Sequence, residues 1–155
     1  SGLCVLDRVP SRLGRAQTFG VVTFNVDEAD WKDRVKAWTG GNGAGVVIVT
    51  PSKTPVIQQG IELVAPGGTL MMYGPPAPDD RLSLDANYTF FKEITITSSY
   101  SASPYDTRRT LSLLASGTLD YRALITHRFP LQQADQAWHM TKAAGDSLKI
   151  VVEMG

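Results

Sequence analysis

The sequence has a single cysteine, no net charge and no long apolar run, and each of these limits what the protein can be. One Cys in 155 residues excludes a framework of intrachain disulfides and favours a reducing compartment. Lys and Arg number 15, as do Asp and Glu, so charge gives no reason to expect nucleic acid or an anionic membrane. No apolar run approaches about 18 residues, the length of a membrane span, and the start lacks a signal-peptide pattern. We therefore expect a cytoplasmic protein with no nucleic-acid and no membrane partner.

Strand-like and helix-like segments alternate along the chain, which favours an α/β fold. Strand patterns lie at 3–6, 21–24, 46–49, 69–73, 94–99, 124–129 and 148–154. Helical patterns lie at 11–19, 27–39, 55–64, 86–92, 104–116 and 131–144. The β-branched run at 46–49 is typical of a strand buried on both faces. Such alternation predicts parallel strands joined by right-handed crossovers.

Asp7 directly follows the first apolar run, Leu3 to Leu6, and an acid at this position has three interpretations. It can accept hydrogen bonds from the ribose of a dinucleotide, because a carboxylate is purely an acceptor. Rossmann-like methyltransferases use an acid in the same way for S-adenosylmethionine. The residue can also be a plain turn former, since Asp often ends strands. The glycine-rich phosphate loop normally lies about 20 residues earlier, and only six residues precede Asp7.

Six stretches in order along the chain resemble the C-terminal half of zinc-dependent medium-chain alcohol dehydrogenases, in particular the sorbitol, threonine and butanediol dehydrogenase branch. The stretches are "VLDRVPSRLGRAQTFG", "VKAWTGGNGAGVVIV", "IQQGIELVAPGGTLMMYG", "FFKEITITSSY", "LASGTLDYRALITHRFPLQQADQAWHM" and "GDSLKIVVEMG". The parts "FFKEITI" and "LITHRFPL" are distinctive, and methyltransferases resemble none of these late segments.

The resemblance implies a Rossmann-like, doubly wound parallel sheet that lacks its first βα unit. Residues 1–123 would form the truncated NAD(P)-binding domain, and residues 124–155 would pack back toward a catalytic domain. The partner would thus be the missing N-terminal catalytic domain of a longer enzyme, of which this chain is a fragment. That enzyme would transfer hydride between a secondary alcohol or polyol and the nicotinamide of NAD, with NADP as the alternative cofactor. Zinc would belong to the parent enzyme and would not bind this chain.

Family roles on the adenosine side of the cofactor map onto four residues. Asp7 matches the acid that binds the adenosine ribose, and a carboxylate there favours NAD because it repels a 2′-phosphate. Arg8 follows directly and is the residue that would serve NADP. Arg12 matches a basic position near the same ribose, or is a solvated charge on a helix. Lys149 matches a basic residue close to the pyrophosphate, or is a solvent-facing lysine on a strand.

On the nicotinamide side, the resemblance points to the ends of three strands. The candidate cofactor-binding residues there are Thr50, Tyr73, Gly74, Ser98 and Ser99. Related enzymes usually have an acid where Val49 stands and a glycine where Ser52 stands, and these two departures count against cofactor contact at the first of the three strand ends. Many relatives also have a glycine where Ser98 stands.

We expect neither a catalytic residue nor a metal ligand in this chain. Its two histidines, His127 and His139, and its one cysteine, Cys4, fit no zinc spacing. His127 lies in the family's "ITHRF" stretch, where a structural role is the simpler interpretation. No local Ser-His-acid or Cys-His motif is present in the sequence.

Without its first strand, the family's sheet would leave the strands at 3–6 and 46–49 without their shared neighbour. Those two strands could pair directly, another chain could fill the gap, or the missing segment could belong to the parent protein. Dinucleotide binding by this chain alone should be weak, since the glycine loop and helix N-terminus that hold the pyrophosphate are absent.

Two further expectations concern surfaces of the chain. The strand at 94–99 would be a sheet edge, and its apolar β-branched pattern predicts a homo-oligomer, a dimer or larger, through that edge. Trp138 and Phe129 should be exposed for lack of a catalytic domain to pack against.

Two other classes of function remain open at this point. One is a non-catalytic module that senses a nucleotide or mediates assembly, which the departures at Val49, Ser52 and Ser98 favour. The other is an S-adenosylmethionine methyltransferase, which the late motifs disfavour. The sequence does not identify the alcohol substrate, because its pocket would be built mostly by residues outside this chain.

Overall fold

The computed structural model of the protein describes residues 2–118 and 120–155. The chain divides into two compact units, one of residues 1–25 with 102–155 and the other of residues 26–101. Both units contain parallel strands joined by helices. No helix within the described ranges is long and apolar enough to cross a membrane.

Seven strands and six α-helices alternate through the described residues. The strands are β1 (Cys4–Asp7), β2 (Val22–Asn25), β3 (Ala44–Val49), β4 (Val64–Met72), β5 (Thr95–Ser98), β6 (Ile125–Pro130) and β7 (Lys149–Glu153). The helices are α1 (Pro10–Gln17), α2 (Trp31–Trp38), α3 (Thr54–Leu63), α4 (Ala86–Phe91), α5 (Pro104–Ala115) and α6 (Ala134–Ala143). Every predicted strand and helix is confirmed in type, and all the strand pairs are parallel, as predicted.

The ends of some helices differ from the prediction for local reasons. Helix α2 begins at Trp31 instead of residue 27, because residues 26–30 form turns and a bend. Helix α6 begins at Ala134, and Leu131–Gln133 in front of it form a 3-10 turn. Helix α1 has Pro10 at its first position, where the missing N–H costs no hydrogen bond.

The core of the second unit lies between helix α3 and the sheet β3-β4-β5. Ile57 and Ile61 of α3 pack on Val49, Val64 and Leu70, all of which are at most 5% exposed. Helix and sheet approach closely at Gly60, where an added Cβ would lie 2.7 Å from Val49 Cγ2 and 2.9 Å from Leu70 Cδ1. The small residue therefore sets the helix-to-sheet distance in this unit.

Strand β3 is buried on one face only, so the prediction that it is buried on both faces is wrong. Val49 is 5% exposed, whereas Val46 and Ile48 on the opposite face are 63% and 55% exposed. A β-branched run is typical of a strand whose sheet is packed against other elements on both faces. Among the described residues, none packs on the second face closely enough to bury Val46 and Ile48.

Strands β1 and β3 each have one strand neighbour among the described residues. Strand β1 pairs with β2 alone, and β3 pairs with β4 alone. The possibility that these two strands pair directly is therefore wrong, because each has only one strand neighbour. Strand β5 also lies at an edge, as predicted. Of the two aromatic residues expected to be exposed, Trp138 is 70% exposed, whereas Phe129 is half-buried and stacks on the ring of His127.

Helix α5 depends on its own N-terminal capping box, because none of its residues is buried. The Ser103 hydroxyl accepts from the Asp106 N–H at 3.2 Å, and the Asp106 carboxylate accepts from the Ser103 N–H at 2.9 Å and the Ser103 hydroxyl at 2.7 Å. These bonds favour the charged form of Asp106 and so lower its pKa, and the bond from the Ser103 hydroxyl has the largest effect. The stabilisation that the cap gives to α5 is therefore fully present above the ordinary pKa of an aspartate. It is lost as the pH falls through the lower pKa that Asp106 has in the folded protein.

Replacing Ser103 with alanine should raise the pKa of Asp106 toward its ordinary value, because the strongest bond to its carboxylate is removed. An NMR titration of the side-chain carboxyl carbon measures this pKa directly. Ser112→Ala is the matched control, since the Ser112 hydroxyl donates to the Arg108 carbonyl and leaves the capping box intact. An Asp106 pKa that is the same in both variants would contradict the capping role.

Candidate functional site

The carboxyl end of β1 places Asp7 where the sequence predicts it. The Asp7 Oδ1 accepts a hydrogen bond from the backbone N–H of Val9 at 3.0 Å and so turns the chain into helix α1. Its Oδ2 has no hydrogen-bond partner among the described residues. The side chain is half-buried, and Asn25 at the end of β2 lies opposite it in the strand register. Asp7 thus acts as a turn former through Oδ1, and Oδ2 remains available to a ligand.

Two of the predicted basic residues line one hollow in the first unit. Arg12 and Lys149 both line a cavity of about 210 Å³, together with residues of the turn between α6 and β7. Arg12 donates from Nη2 to the carbonyls of Ala144 and Ser147, the second bond at 3.1 Å. Lys149 is exposed at the start of β7. Arg8 is also exposed, directly after Asp7.

The predicted nicotinamide-side residues are brought together at the carboxyl ends of three neighbouring strands. The backbone N–H of Tyr73 donates to the carbonyl of Val49 at 2.9 Å, and that of Ser99 donates to the carbonyl of Met72 at 3.1 Å. Ser98 is paired with Met72 in the β4-β5 register. Thr50, Tyr73, Ser98 and Ser99 are all exposed. These bonds make one polar rim at the end of the sheet where ligands of open α/β folds bind.

Gly74 lies against the backbone of the neighbouring loop. A Cβ at this position would lie 2.3 Å from the carbonyl oxygen of Thr50 and 2.9 Å from the backbone nitrogen of Ser52. Only glycine therefore permits the end of β4 to approach the loop after β3 this closely.

The residues that depart from the family pattern face in different directions. The Val49 side chain is buried in the core of the second unit, so it does not face the rim. Ser52 is exposed in the loop that Gly74 contacts. The valine thus changes the packing below the rim, and the serine changes the loop itself.

The described residues contain no group of three or more His, Cys, Asp or Glu side chains that could hold a metal ion. Burial raises the pKa of the Cys4 thiol, which disfavours the thiolate that binds metals or attacks substrates. His127 bonds through Nδ1 to the hydroxyl of Thr126 at 3.0 Å and stacks on Phe129. It lies in the β6-β7 pair, where its register partner is Ile150.

The sequence reasoning missed two features of the first unit. Asn25 follows an apolar strand in the same way as Asp7, and this repeated pattern could have identified it. The pair Ser11 and Asp146, joined at 2.7 Å, is separated by 135 positions in sequence and has no local signal.

Comparison with known proteins gives one consistent family. A family model described as zinc-binding dehydrogenase matches residues 3–116. Sorbitol dehydrogenase from Halalkalibacterium halodurans is 30% identical over 142 residues, which cover 91% of this chain and 41% of the relative. The alcohol dehydrogenase TADH from Thermus sp. ATN1 has a TM-score of 0.86 at 26% identity, covering 97% of this chain and 43% of that structure. An alcohol dehydrogenase from Thermotoga maritima has a TM-score of 0.85 at 25% identity, covering 99% of this chain and 44% of that structure.

The chain spans about four tenths of the length of the relatives it matches, as the shares of 41% and 43% show. These matches extend through nearly the whole chain, so the likeness is not confined to one motif. Structural neighbours have the Rossmann-type nucleotide-binding domain, which confirms the predicted α/β fold class.

Proposed function

The chain belongs to the zinc-binding dehydrogenase family, and we propose that it forms the cofactor-binding half of an NAD(P)-dependent dehydrogenase acting on an alcohol or polyol. The observation that carries the proposal is the half-buried carboxylate of Asp7 at the end of a parallel strand, with Oδ2 available to a ribose hydroxyl. A carboxylate at this position accepts hydrogen bonds from both hydroxyls of an adenosine ribose.

The negative charge at the end of β1 favours NAD over NADP as the cofactor. A 2′-phosphate next to Asp7 would be repelled by the carboxylate, whereas the ribose hydroxyls of NAD are donors to it. Lys149 supplies a positive charge in the same unit for the pyrophosphate. Arg8 is the residue through which NADP would be tolerated.

The polar rim of the second unit fits the nicotinamide half of the cofactor. Thr50 and Ser98 offer hydroxyls at the strand ends, and Tyr73 offers an exposed aromatic ring. Gly74 and Ser99 offer backbone groups beside them. When bound there, the nicotinamide would accept hydride from the alcohol, and this chain's residues would orient the ring.

Zinc does not fit the described residues of this chain, since they contain no cluster of metal ligands. The metal of the family would be held by the rest of the dehydrogenase, which would also supply the catalytic groups and most of the substrate pocket.

The unpaired edges indicate partners for this half. We propose that the unpaired edges of β1 and β3 accept strands from the rest of the protein, its N-terminal catalytic portion included. Residues 1–123 would then be the nucleotide-binding domain, and residues 124–155 would pack toward the catalytic domain, with Trp138 buried there. The β5 edge would join two copies as a homo-oligomer. The protein would be cytoplasmic, since its single cysteine favours a reducing compartment.

The chain should bind NAD weakly but saturably, with NADP weaker still and no binding of S-adenosylmethionine. Saturation-transfer-difference NMR detects such weak complexes and identifies the protons in contact. We expect the adenosine ribose protons to receive the strongest transfer from the protein. Saturable transfer to S-adenosylmethionine alone would overturn the proposal in favour of a methyltransferase.

A non-catalytic module is the second candidate, and the departures at Val49 and Ser52 favour it. Relatives usually carry an acid where Val49 stands, and here the position holds an apolar side chain packed in the core below the rim. A module of this kind would bind the adenosine half alone. Equal affinity for NAD and for ADP-ribose would support the module, whereas tighter binding of NAD would support the dehydrogenase.

A further inference from the structure

The turn between α6 and β7 is held by the first turn of α1 through two side chains. Arg12 donates from Nη2 to the carbonyls of Ala144 and Ser147, the latter at 3.1 Å. The hydroxyl of Ser11 donates to Asp146 Oδ1 at 2.7 Å. Residues at the beginning, middle and end of this turn are therefore bonded to α1, and we call these bonds the turn tie.

The two carbonyls that Arg12 binds lie at the C-terminal cap of α6 and in the turn that follows it. Helix α6 ends at Ala143, and Ala144 follows in the left-handed conformation with φ of 59°. The carbonyls at a helix C-terminus have no partners in the helix and carry partial negative charge. The guanidinium of Arg12 supplies both donors and positive charge at this end.

Lys149 follows the tied turn after one residue, and its backbone is fixed from the other side by Thr126. The Thr126 hydroxyl accepts from the N–H of Leu148 at 3.1 Å and donates to the carbonyl of Lys149 at 3.2 Å. Ser147 itself is only 7% exposed. The backbone that carries Lys149 thus lies between two sets of bonds, the turn tie on one side and the Thr126 hydroxyl on the other.

We propose that Arg12 is a positioning residue for the cofactor site, which holds the turn that carries Lys149. Arg12 and Lys149 line the same hollow of about 210 Å³, so the tied residue and the positioned residue are neighbours. Both carbonyls accept from the same nitrogen, Nη2, of the Arg12 guanidinium. The expected effect on NAD binding rests on the proposed function, whereas the position of the turn rests on the turn tie alone.

The chemistry of arginine separates this role from that of a plain charge. A guanidinium can donate to two carbonyls in a fixed plane, whereas a lysine ammonium is a compact point charge on a flexible stem. Arg12→Lys keeps the positive charge near the cofactor and weakens the turn tie. If Arg12 were a simple charge beside the ribose, the lysine variant would retain most of the NAD affinity.

The experiment compares Arg12→Lys, Arg12→Gln and Lys149→Gln in the 155-residue chain, first without ligand. We expect amide hydrogen exchange at Ala144 and Leu148 to rise about tenfold in both Arg12 variants and to stay unchanged in Lys149→Gln. Unchanged exchange in Arg12→Lys would overturn the turn tie. This measurement needs no cofactor, so its result does not depend on the proposed function.

The same three variants are then titrated with NAD by saturation-transfer-difference NMR. We expect each to bind NAD about 5- to 10-fold more weakly than the unmodified chain, with Arg12→Lys as weak as Arg12→Gln. Near-normal affinity in Arg12→Lys would overturn the positioning role and favour a charge contact. Absence of NAD binding to the unmodified chain would overturn the proposed function and the positioning role together, while the exchange data would still report on the turn tie.

Discussion

Replacing Gly74 with alanine should lower the free energy of unfolding of the chain by about 3 kcal/mol, the upper part of the usual range for overpacking. The added Cβ would lie 2.3 Å from the Thr50 carbonyl oxygen and 2.9 Å from the Ser52 nitrogen. Both neighbours are backbone atoms, so no side-chain rotation relieves the clash. The end of β4 would have to move away from the loop after β3, and the polar rim would lose its shape.

Gly45→Ala is the matched control for this variant, because a Cβ at Gly45 meets nothing within 4 Å. Gly45 lies in β3 of the same unit, so the two variants test the same sheet. Chemical denaturation followed by circular dichroism measures both. Equal midpoints for the two variants would contradict the close approach at Gly74.

Replacing Asp7 with asparagine should weaken NAD binding about 10- to 100-fold, because hydrogen bonds to a charged acceptor contribute about 1.5–3 kcal/mol. The asparagine carbonyl can still accept from the Val9 N–H, so the turn into α1 is preserved. The variant therefore removes the charge and one acceptor without removing the local structure. We also expect the preference for NAD over NADP to fall, since the repulsion of a 2′-phosphate is lost.

Asp79→Asn is the control for this change, because Asp79 is an exposed aspartate in the loop before α4 and makes no hydrogen bond with the other described residues. It alters the net charge by the same amount as Asp7→Asn. Binding of NAD, measured by saturation-transfer-difference NMR, should be unchanged in Asp79→Asn. An Asp7→Asn chain that binds NAD as well as this control would show that Asp7 is only a turn former.

The alternation of strands and helices could be predicted from the sequence because each element carries its own periodicity. The strand at Val46 to Val49 and the helix after Pro104 are examples whose residues alone determine the type of element. The burial of the two faces of β3 could not be predicted in this way. Whether Val46 and Ile48 are buried depends on which other segments are present, and a β-branched run carries no information on that point.

The candidate site was predictable where it lies at strand ends. Asp7, Thr50 and Tyr73 each follow an apolar run directly. Thr50, Tyr73 and Ser98 lie at the ends of β3, β4 and β5, and the ends of parallel strands meet at one edge of a sheet. The bonds of Arg12 could not be predicted, because its two acceptors lie 132 and 135 positions away along the chain. They are backbone carbonyls, which every residue has, so no residue type marks them.

A crystal structure of the chain grown with NAD would show whether Asp7 binds the adenosine ribose. We expect a ribose hydroxyl of the adenosine half to lie about 2.5–3.0 Å from Asp7 Oδ2, with Oδ1 still accepting from the Val9 N–H. Adenosine bound away from the end of β1, or the Asp7 carboxylate turned away from the ribose, would contradict it.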